Sequence, residues 1–397
     1  MLSKAELRTI VYERFPRIPW LRKRASRGKV ARLCRFLPDE HIVKMALQNE
    51  ESRAAFVLQR AGLFPDKAKR LNDEMASIRR SLSSGMSAMA VEEFDAVADD
   101  VKFCYFAYGF SPFEYLGYGF RRFSDQERRE YISELESIIY GYRLNDIADM
   151  MIFMDKVKTY EKFGKYFQRD ACRVSSKKDY RAFESFVDKH PVFVAKDAMS
   201  SRGHGIQLVR TDLSASREEI FEGLLQRGDV LIEELIHQSD AMAKFNRSSV
   251  NTVRCITLNT PSNIKIIHVF FKAGRAGSFV DNGGAGGIIV GVDCLTGILA
   301  TDGIDELGIR YDRHPDSGAE FIGQQLPDWR SLTAMCYEMS SILPSVKMIG
   351  WDFAHTDDGW VAVEGNGLTE VIGPQSTFAR GIKMEFEEQI RGIELQA

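Results

Sequence analysis

The spacing of hydrophobic residues changes from a helical to a strand-like period at about residue 165. Between residues 39 and 165, apolar side chains recur at intervals of three and four, the period of an amphipathic helix. From about residue 190, short alternating or continuous apolar runs predict strands. These strands are predicted at 191–196, 206–209, 230–235, 252–258, 264–271 and 286–292. The pattern alone therefore predicts a helical N-terminal part followed by an α+β part.

Further helices are predicted from local signals. Residues 217–225 and 328–343 have helical spacing, and the amphipathic segment 380–395 is expected to cover the sheet. Ser124 and Glu127 have the spacing of a capping box, which should open a helix carrying residues 131–139. The aromatic run 103–110 has three interpretations: buried core, a docking surface, or a platform for base stacking.

Composition narrows the class of protein. The 397 residues are 44% hydrophobic and 27% charged, which is typical of a globular chain with ample core. A formal net charge of −3 gives no argument for a nucleic-acid partner, and none is predicted. The six cysteines lack metal-binding spacing, so reduced thiols and a cytoplasmic location are expected. Neither a transmembrane run of about 18 apolar residues nor a secretory signal is predicted.

The first 33 residues are strongly basic. They contain ten Lys or Arg residues against two acids, Glu6 and Glu13, with Trp20 and other apolar residues between them. One interpretation is contact with an anionic membrane surface, peripheral to the inner face, or with an acidic partner such as a glycosyltransferase. The other is a solvated helix packed on its own domain.

Residues 350–366 predict a hairpin with oxygen donors on one face. If residues 357–359 form a three-residue loop, Asp352 faces Glu364 across the ladder. Asn366 follows two residues later and projects from the same face. Two carboxylates and an amide suit Mg²⁺, which prefers oxygen ligands. A surface hairpin with solvated acids is the alternative.

Two lysines are candidates for binding phosphate. Lys196 ends an apolar strand and precedes a loop, 197–205, of small and polar residues that can offer backbone N–H groups. Lys156 ends an earlier apolar stretch and becomes useful if it meets the same phosphates. A plain glycine-containing turn and a surface lysine are the alternatives. At the end of another strand, Glu233 and Glu234 could meet an adenine edge or simply face solvent.

Arg254 lies within an otherwise apolar strand and needs a partner, because burying an unpaired charge is costly. Asn251 is at odd spacing from Arg254 and reaches the same region only if the strand is irregular. Residues 281–287 contain four glycines, which suits close approach to a ligand, a lid or a plain surface loop.

Taken in order, these motifs resemble the ATP-grasp superfamily, and most closely its sugar-transfer-associated branch, which is related to the glutamate-ligase type. The resemblance lies in Asp155-Lys156, Lys196 with its loop, Glu233 to Ile236, Asn-Thr-Val-Arg at 251–254, Asn282 with its glycines, Gly-Trp-Asp at 350–352, and Glu-Gly-Asn at 364–366. It covers about residues 100–385. It implies an ATP-grasp fold, with two α+β subdomains that clasp ATP. The helical N-terminal region would then span 1–110 and the catalytic region 111–397, with a subdomain boundary near 235–250.

The resemblance also implies roles for individual residues. Those expected around the nucleotide are Lys156, Lys196, Ser201, Arg202, Gly203, His204, Gly205, Glu233, Glu234, Leu235, Ile236 and Asn251. Asp352, Glu364 and Asn366 would bind one or two Mg²⁺. Lys196, Arg254 and Asn282 are the expected catalytic residues, the last two facing the γ-phosphate and an acyl phosphate.

The implied reaction joins a carboxylate to an amine through an acyl phosphate, with release of ADP and phosphate. A uronic acid or other carboxylated glycan precursor is the expected carboxylate, and an amino acid or amino sugar the expected amine. Two alternatives remain: a phosphotransferase acting on a hydroxyl group, and a nucleotide-binding partner of a glycosyltransferase. The chain departs from the family because the helical segment replaces the usual Rossmann-like N-terminal domain.

Overall fold

The computed structural model describes residues 19–83, 89–200, 205–211, 216–275, 277–278, 281, 286–393 and 395. Its α-helices are α1 (Pro19–Cys34), α2 (Glu40–Ala46), α3 (Glu50–Leu63), α4 (Pro65–Ser83), α5 (Val91–Asp95), α6 (Ala98–Tyr108), α7 (Pro112–Tyr118), α8 (Asp125–Arg128), α9 (Glu134–Leu144), α10 (Ile147–Met150), α11 (Lys156–Phe167), α12 (Tyr180–Lys189), α13 (Arg217–Arg227), α14 (Asp240–Ala243), α15 (Trp329–Ile342), α16 (Ile372–Phe378) and α17 (Lys383–Gln389). Short 3₁₀ helices lie at Phe120–Arg122, Met151–Met154 and Lys177–Asp179.

The strands are β1 (Ala171–Val174), β2 (Val192–Asp197), β3 (Ile206–Arg210), β4 (Val230–Glu234), β5 (Thr252–Asn259), β6 (Ile264–Ala273), β7 (Ile288–Val292), β8 (Leu299–Ile304), β9 (Arg310–Tyr311), β10 (Met348–Thr356) and β11 (Gly359–Asn366). The strands expected from the sequence are therefore present, with shifted ends. The pattern missed β1, β8 and β9, because β1 and β9 have only four and two residues, and the middle of β8, residues 300–302, is not buried.

Aromatic side chains form the core of the helical region. Phe103, Phe106, Phe110 and Phe120 are at most 1% exposed and belong to one buried cluster. Of the three interpretations of residues 103–110, the structure supports buried core. The cluster continues through Ile139, so the helical packing extends beyond residue 110. The boundary between residues 110 and 111 stays a prediction.

The capping box at Ser124 and Glu127 is present, but it opens a shorter helix than expected. Helix α8 ends at Arg128, and the longer helix α9 begins only at Glu134. The expected single helix was wrong because Ser133 is extended and forms a second capping box with Glu136. Each of the two caps starts its own helix.

Strands β1 to β4 form an antiparallel sheet, the small sheet, in the order β1-β4-β2-β3. Helices α12 and α13 cover one face, where Phe183 and Phe221 pack against Phe193 and Ile232. Because side chains alternate along a strand, Lys196 and Glu233 project from the opposite face.

The remaining strands form a seven-stranded antiparallel sheet, the large sheet, in the order β11-β10-β5-β6-β7-β8-β9. Helix α15 packs on one face, next to Trp351 and Phe353. At the C-terminus, Ile382 and Phe386 pack with Ile256, so the expected cover over the sheet is present, although helix α17 is shorter than predicted.

The chain passes from the small to the large sheet between Glu234 and Thr252. The subdomain boundary near 235–250 stays a prediction. An isolated bridge between Gln238 and Thr356 joins this segment to β10. None of the helices among the described residues is long and apolar enough to cross a bilayer.

Candidate active site

The small sheet presents a lysine and a buried carboxylate side by side. Strand pairing places Lys196 opposite Leu231 and Val194 opposite Glu233, so the side chains share one face. The Lys196 Nζ lies 2.6 Å from Glu233 Oε2. Glu233 is 3% exposed, so this ion pair is almost entirely removed from water.

Arg169 is a second partner of Glu233 that the sequence analysis missed. Its Nε and Nη2 donate to Glu233 Oε2 at 3.1 and 2.8 Å. Burial alone would raise the pKa of Glu233, but the charges of Arg169 and Lys196 outweigh it and lower the pKa to about 2. Arg169 stands just after helix α11 without a recognisable motif, so only its spatial neighbours reveal its role.

Lys156 lies close to the same face. Asp155 caps helix α11 by accepting from the N–H groups of Val157 and Lys158, which places Lys156 in the first turn. The Lys156 Nζ donates to the carbonyl oxygen of Ser200. Burial lowers the pKa of Lys156, the charge of Lys196 lowers it further, and the carboxylate of Glu364 opposes both effects. Lys156 therefore lies within electrostatic reach of Lys196 and of the large sheet.

The structure describes only the ends of the loop that follows Lys196. Gly205 closes the loop in a left-handed conformation, with φ of 72°. A Cβ atom there would lie 2.2 Å from Asp197 Oδ2, so glycine is required. The predicted nucleotide-binding residues Ser201, Arg202, Gly203 and His204 lie outside the described residues.

At the predicted hinge, strand β4 ends at Glu234, one residue earlier than expected. The Glu234 carboxylate accepts from the N–H of Asp170 at 3.0 Å, and Glu233 is enclosed by cations. Glu233 is therefore engaged within the protein, whereas the Glu234 side chain is 36% exposed and its part in binding adenine stays a prediction. The main chain of Leu235 and Ile236 has no hydrogen-bond partner among the described residues, so it can meet a base edge.

On the large sheet, Asp352 faces Glu364, as the sequence predicted, and Asn366 lies two residues further along β11, opposite Gly350. The route to this register differs from the prediction. Thr356 pairs with Gly359, so the hairpin loop has two residues, 357 and 358, rather than three. A bulge opposite Asp352 and Phe353 inserts Val363 and restores the expected pairing.

Asp352 is enclosed by two cations. The Arg254 guanidinium donates from Nε to Oδ1 at 2.8 Å and from Nη2 to Oδ2 at 2.5 Å. The Lys272 Nζ lies 3.1 Å from Oδ2. Burial would raise the pKa of Asp352, but Arg254 and Lys272 lower it. Arg254 thus has the partner that its place in an apolar strand required.

Lys272 and Asp281 extend this network and were not among the predicted site residues. Thr252 Oγ1 donates to Asp281 Oδ2 at 2.5 Å, and the Lys272 Nζ lies 3.9 Å from the same oxygen. Burial raises the pKa of Asp281. Lys272 pairs with Thr252 across β5 and β6, a register that one strand alone does not reveal. The predicted catalytic residue Asn282 lies outside the described residues.

Asn251 occupies a different environment from the one predicted. Its Nδ2 donates to the carbonyl oxygens of Met242 and Asn246, and its Oδ1 accepts from the N–H of Gly274. The side chain is fully buried and its polar atoms are engaged by the main chain. Thr252, not Asn251, shares the face of Arg254, because side chains two residues apart project together.

Comparison with known proteins decides the family. The family model described as sugar-transfer associated ATP-grasp matches residues 136–390. The chain belongs to this family. No curated protein matches the sequence.

Solved structures of ATP-grasp enzymes resemble the chain at low identity. The D-alanine-D-alanine ligase from Coxiella burnetii is 10% identical, with a TM-score of 0.39 over 63% of this chain and 59% of that one. The same enzyme from Helicobacter pylori is 13% identical, with a TM-score of 0.39 over 63% and 64%. The N5-carboxyaminoimidazole ribonucleotide synthetase from Thermus thermophilus is 11% identical, with a TM-score of 0.34 over 54% and 45%. The chain spans about half to two thirds of the length of these structures.

The oxygen donors of this ATP-grasp chain fit a hard cation. The carboxylate of Glu364 has no hydrogen-bond or ion-pair partner among the described residues. The Nδ2 of Asn366 donates to the carbonyl oxygen of Gly350 at 3.4 Å, which leaves its side-chain oxygen to coordinate a cation. Asp352 would share its oxygens with Arg254 and Lys272. Within the described residues no three acidic, histidine or cysteine side chains cluster, so a site here depends on two carboxylates and an amide.

Proposed function

We propose that the protein is an ATP-dependent, ADP-forming ligase that joins a carboxylate to an amine. The observation that supports this most directly is the position of Glu364. Its charge acts on Lys156, in the first turn of helix α11, and on Arg254 of the large sheet. Arg169 donates both to Glu233 and to the carbonyl oxygen of Ala362, and so joins the two sheets at this point. This supports a single cleft in which the proposed phosphate-binding lysines and the oxygen donors meet one nucleotide triphosphate.

In this proposal Lys156 and Lys196 bind the α- and β-phosphates, and Leu235 and Ile236 offer their main chain to the adenine. Asp352, Glu364 and Asn366 would hold Mg²⁺, which neutralises phosphate charge when bound. These residues act by positioning and by charge, because phosphoryl transfer needs little covalent chemistry from the protein.

Arg254 and Lys272 would face the charge that develops during the reaction. A carboxylate oxygen of the substrate attacks the γ-phosphorus, and the bond to the β,γ-bridging oxygen breaks, leaving ADP. The amine then attacks the carbonyl carbon of the acyl phosphate, loses a proton and expels phosphate, which yields an amide. Two cations beside Asp352 can stabilise the transferred phosphoryl group without reorganising at the moment of reaction.

For the substrates, we propose a uronic acid or another carboxylated glycan precursor as acceptor, with an amino acid or amino sugar as the amine. The support is the sugar-transfer association of the family. We also propose a cytoplasmic location, because all six cysteines are free, as expected in a reducing compartment.

The test is a screen for ADP release with Mg²⁺, crossing candidate carboxylates, uronic acids included, with amines. A ligase should release ADP and phosphate in full only when both substrates are present, and mass spectrometry should find the amide. Transfer of phosphate to a hydroxyl group, with no need for an amine, would replace the ligase by a phosphotransferase. Binding of ATP without turnover of any substrate pair would leave a nucleotide-binding partner of a glycosyltransferase instead.

Glu364→Gln is the inactive control for this screen. It removes a proposed metal ligand and breaks no ion pair among the described residues. Lys196→Ala should raise the KM for ATP, because it removes a proposed phosphate ligand. The fold should remain intact, since Arg169 still neutralises Glu233. Unchanged ATP affinity in that variant would remove Lys196 from the phosphate site.

A further inference from the structure

Helix α1 carries an unusual concentration of positive charge. Its 16 residues, Pro19–Cys34, include six Lys or Arg residues and no acid. The whole chain has a formal net charge of −3, so this charge is local rather than general. None of the residues proposed for catalysis lies on α1.

One face of α1 holds the helix firmly against the rest of the protein. Ser26 and Val30 are 1% and 8% exposed, and α1 packs against α9 and α10. Arg22 donates to Asp146 Oδ1 at 3.1 Å. The helix is therefore fixed to the region that begins the family match, and its orientation is set by that packing.

The opposite face is exposed and basic. Trp20, Arg24, Arg27 and Ala31 follow one another at intervals of four, three and four residues, so they form a single stripe. Arg32 and Arg35 lie beside the end of the stripe and are also exposed. No ion pair with a described residue involves these four arginines, so their charge is available to a partner.

Trp20 distinguishes the kind of partner. It is 61% exposed, whereas Trp329, Trp351 and Trp360 are at most 8% exposed. An exposed tryptophan next to a row of arginines is typical of an element at the headgroup level of a bilayer, where the ring meets the interface and the cations meet phosphate. A straight stripe about 16 Å long, at about 1.5 Å per residue, also suits a flat surface.

We propose that the exposed face of α1 docks on an anionic phospholipid surface. The contact is peripheral: the arginines pair with acidic headgroups, and Trp20 enters the interface. The proposal does not depend on the reaction that the cleft catalyses.

The test is sedimentation of the full chain with vesicles of phosphatidylcholine, with or without 30% phosphatidylserine, at low and at physiological salt. Binding should require phosphatidylserine and weaken with salt. The variant Arg24→Gln/Arg27→Gln/Arg32→Gln/Arg35→Gln should bind at least roughly a hundredfold more weakly, at about fivefold per charge. The matched control is Lys162→Gln/Lys178→Gln/Arg181→Gln/Arg330→Gln, which removes four exposed charges elsewhere and should bind like the wild type.

Trp20 provides a direct second readout, because it is the exposed tryptophan of the four. Phosphatidylserine vesicles should shift the fluorescence to shorter wavelength, and Trp20→Phe should abolish the shift. Thermal unfolding should be unchanged in all variants, since only exposed side chains are altered. The proposal is overturned if the wild type stays in the supernatant at low salt, or if the α1 and control variants bind equally. Capture by an acidic polypeptide without any vesicle binding would also overturn it.

Discussion

The two sheets face the proposed nucleotide with opposite balances of charge. The small-sheet wall contains three cations, Lys156, Arg169 and Lys196, against one carboxylate, Glu233. The wall of the large sheet contains two cations, Arg254 and Lys272, against the three carboxylates Asp281, Asp352 and Glu364. A polyphosphate is attracted to the first wall and a cation to the second. Under the proposed function, each end of a metal-nucleotide complex would therefore have its own side of the site.

Arg169 connects the two walls. Besides Glu233, it donates from Nη1 to the carbonyl oxygen of Ala362 at 2.7 Å, next to the bulge at Val363. That bulge sets Glu364 opposite Asp352. The same guanidinium therefore neutralises the small-sheet carboxylate and stabilises the irregular backbone that positions the donors of the large sheet.

The largest effect is expected at Glu364. Glu364→Gln should reduce turnover about a thousandfold, because a charged donor to the proposed Mg²⁺ is lost. Its melting temperature should stay close to that of the wild type, since no described side chain pairs with it. ADP release and thermal unfolding measure the two effects. Turnover like that of the wild type would remove Glu364 from the metal site.

Asp352→Asn tests the contrast within the same wall. It should also abolish most turnover, but in addition it leaves Arg254 and Lys272 without their shared counter-charge. We expect a loss of about 3 kcal/mol in the free energy of unfolding. Equal stability of the Asp352 and Glu364 variants would contradict the assignment of Asp352 to a buried ion pair.

Arg169→Leu should be the most destabilising change on the small sheet. It leaves Glu233 with Lys196 alone and frees the carbonyl of Ala362, at a cost of about 3 to 5 kcal/mol. The matched control is Arg173→Leu, which breaks a solvent-exposed pair with Asp229 of 2.7 Å and should cost less than about 1 kcal/mol. Chemical denaturation measures both, and similar losses would refute the difference in burial.

Acid should weaken the two sheets in different pH ranges. Burial lowers the pKa of His268 on β6 to about 4 from 6.5, so the unfolded chain binds more protons between these values, and stability falls as pH drops through this range. The pKa of Glu233 is about 2 rather than 4.5, so its contribution is lost as pH falls from 4.5 towards 2. His268→Leu should flatten the first phase, worth about 3 kcal/mol, and leave the second. The buried carboxyl of Glu114, whose pKa burial raises to about 8, acts in the opposite direction as pH falls towards 4.5. The test is therefore the difference in stability between the wild type and His268→Leu, and a difference that stays constant between pH 6.5 and 4 would contradict the assignment.

The smallest effect is expected for Asn251→Ala, and it should differ in kind from the effect of changing Thr252. Asn251→Ala should lower stability by about 2 kcal/mol, since three main-chain groups lose a partner, with no change in the KM for ATP. Thr252→Val should instead affect turnover, because it frees Asp281 beside Lys272. A specific rise in the KM for ATP in the Asn251 variant would restore the original assignment.

Local sequence was sufficient where the chain folds back on itself. The hairpin of β10 and β11 brings Asp352, Glu364 and Asn366 to one face, and alternation along strands is enough to predict it. Even there the loop length was wrong, because the bulge at Val363 adds a residue to β11. Arg169, far away in the sequence, bonds to the main chain beside that bulge. Lys156 and Lys196 were found because each ends an apolar segment.

Only the tertiary structure could identify the partners of the buried charges. Arg169 meets Glu233 and Lys272 meets Asp352 through sheet order and register, which are properties of strands distant in sequence. The sequence determined which residues alternate, cap and turn, since these depend on near neighbours. The structure decided which charges neutralise one another, because a buried charge is stable only beside a partner that the whole fold brings to it.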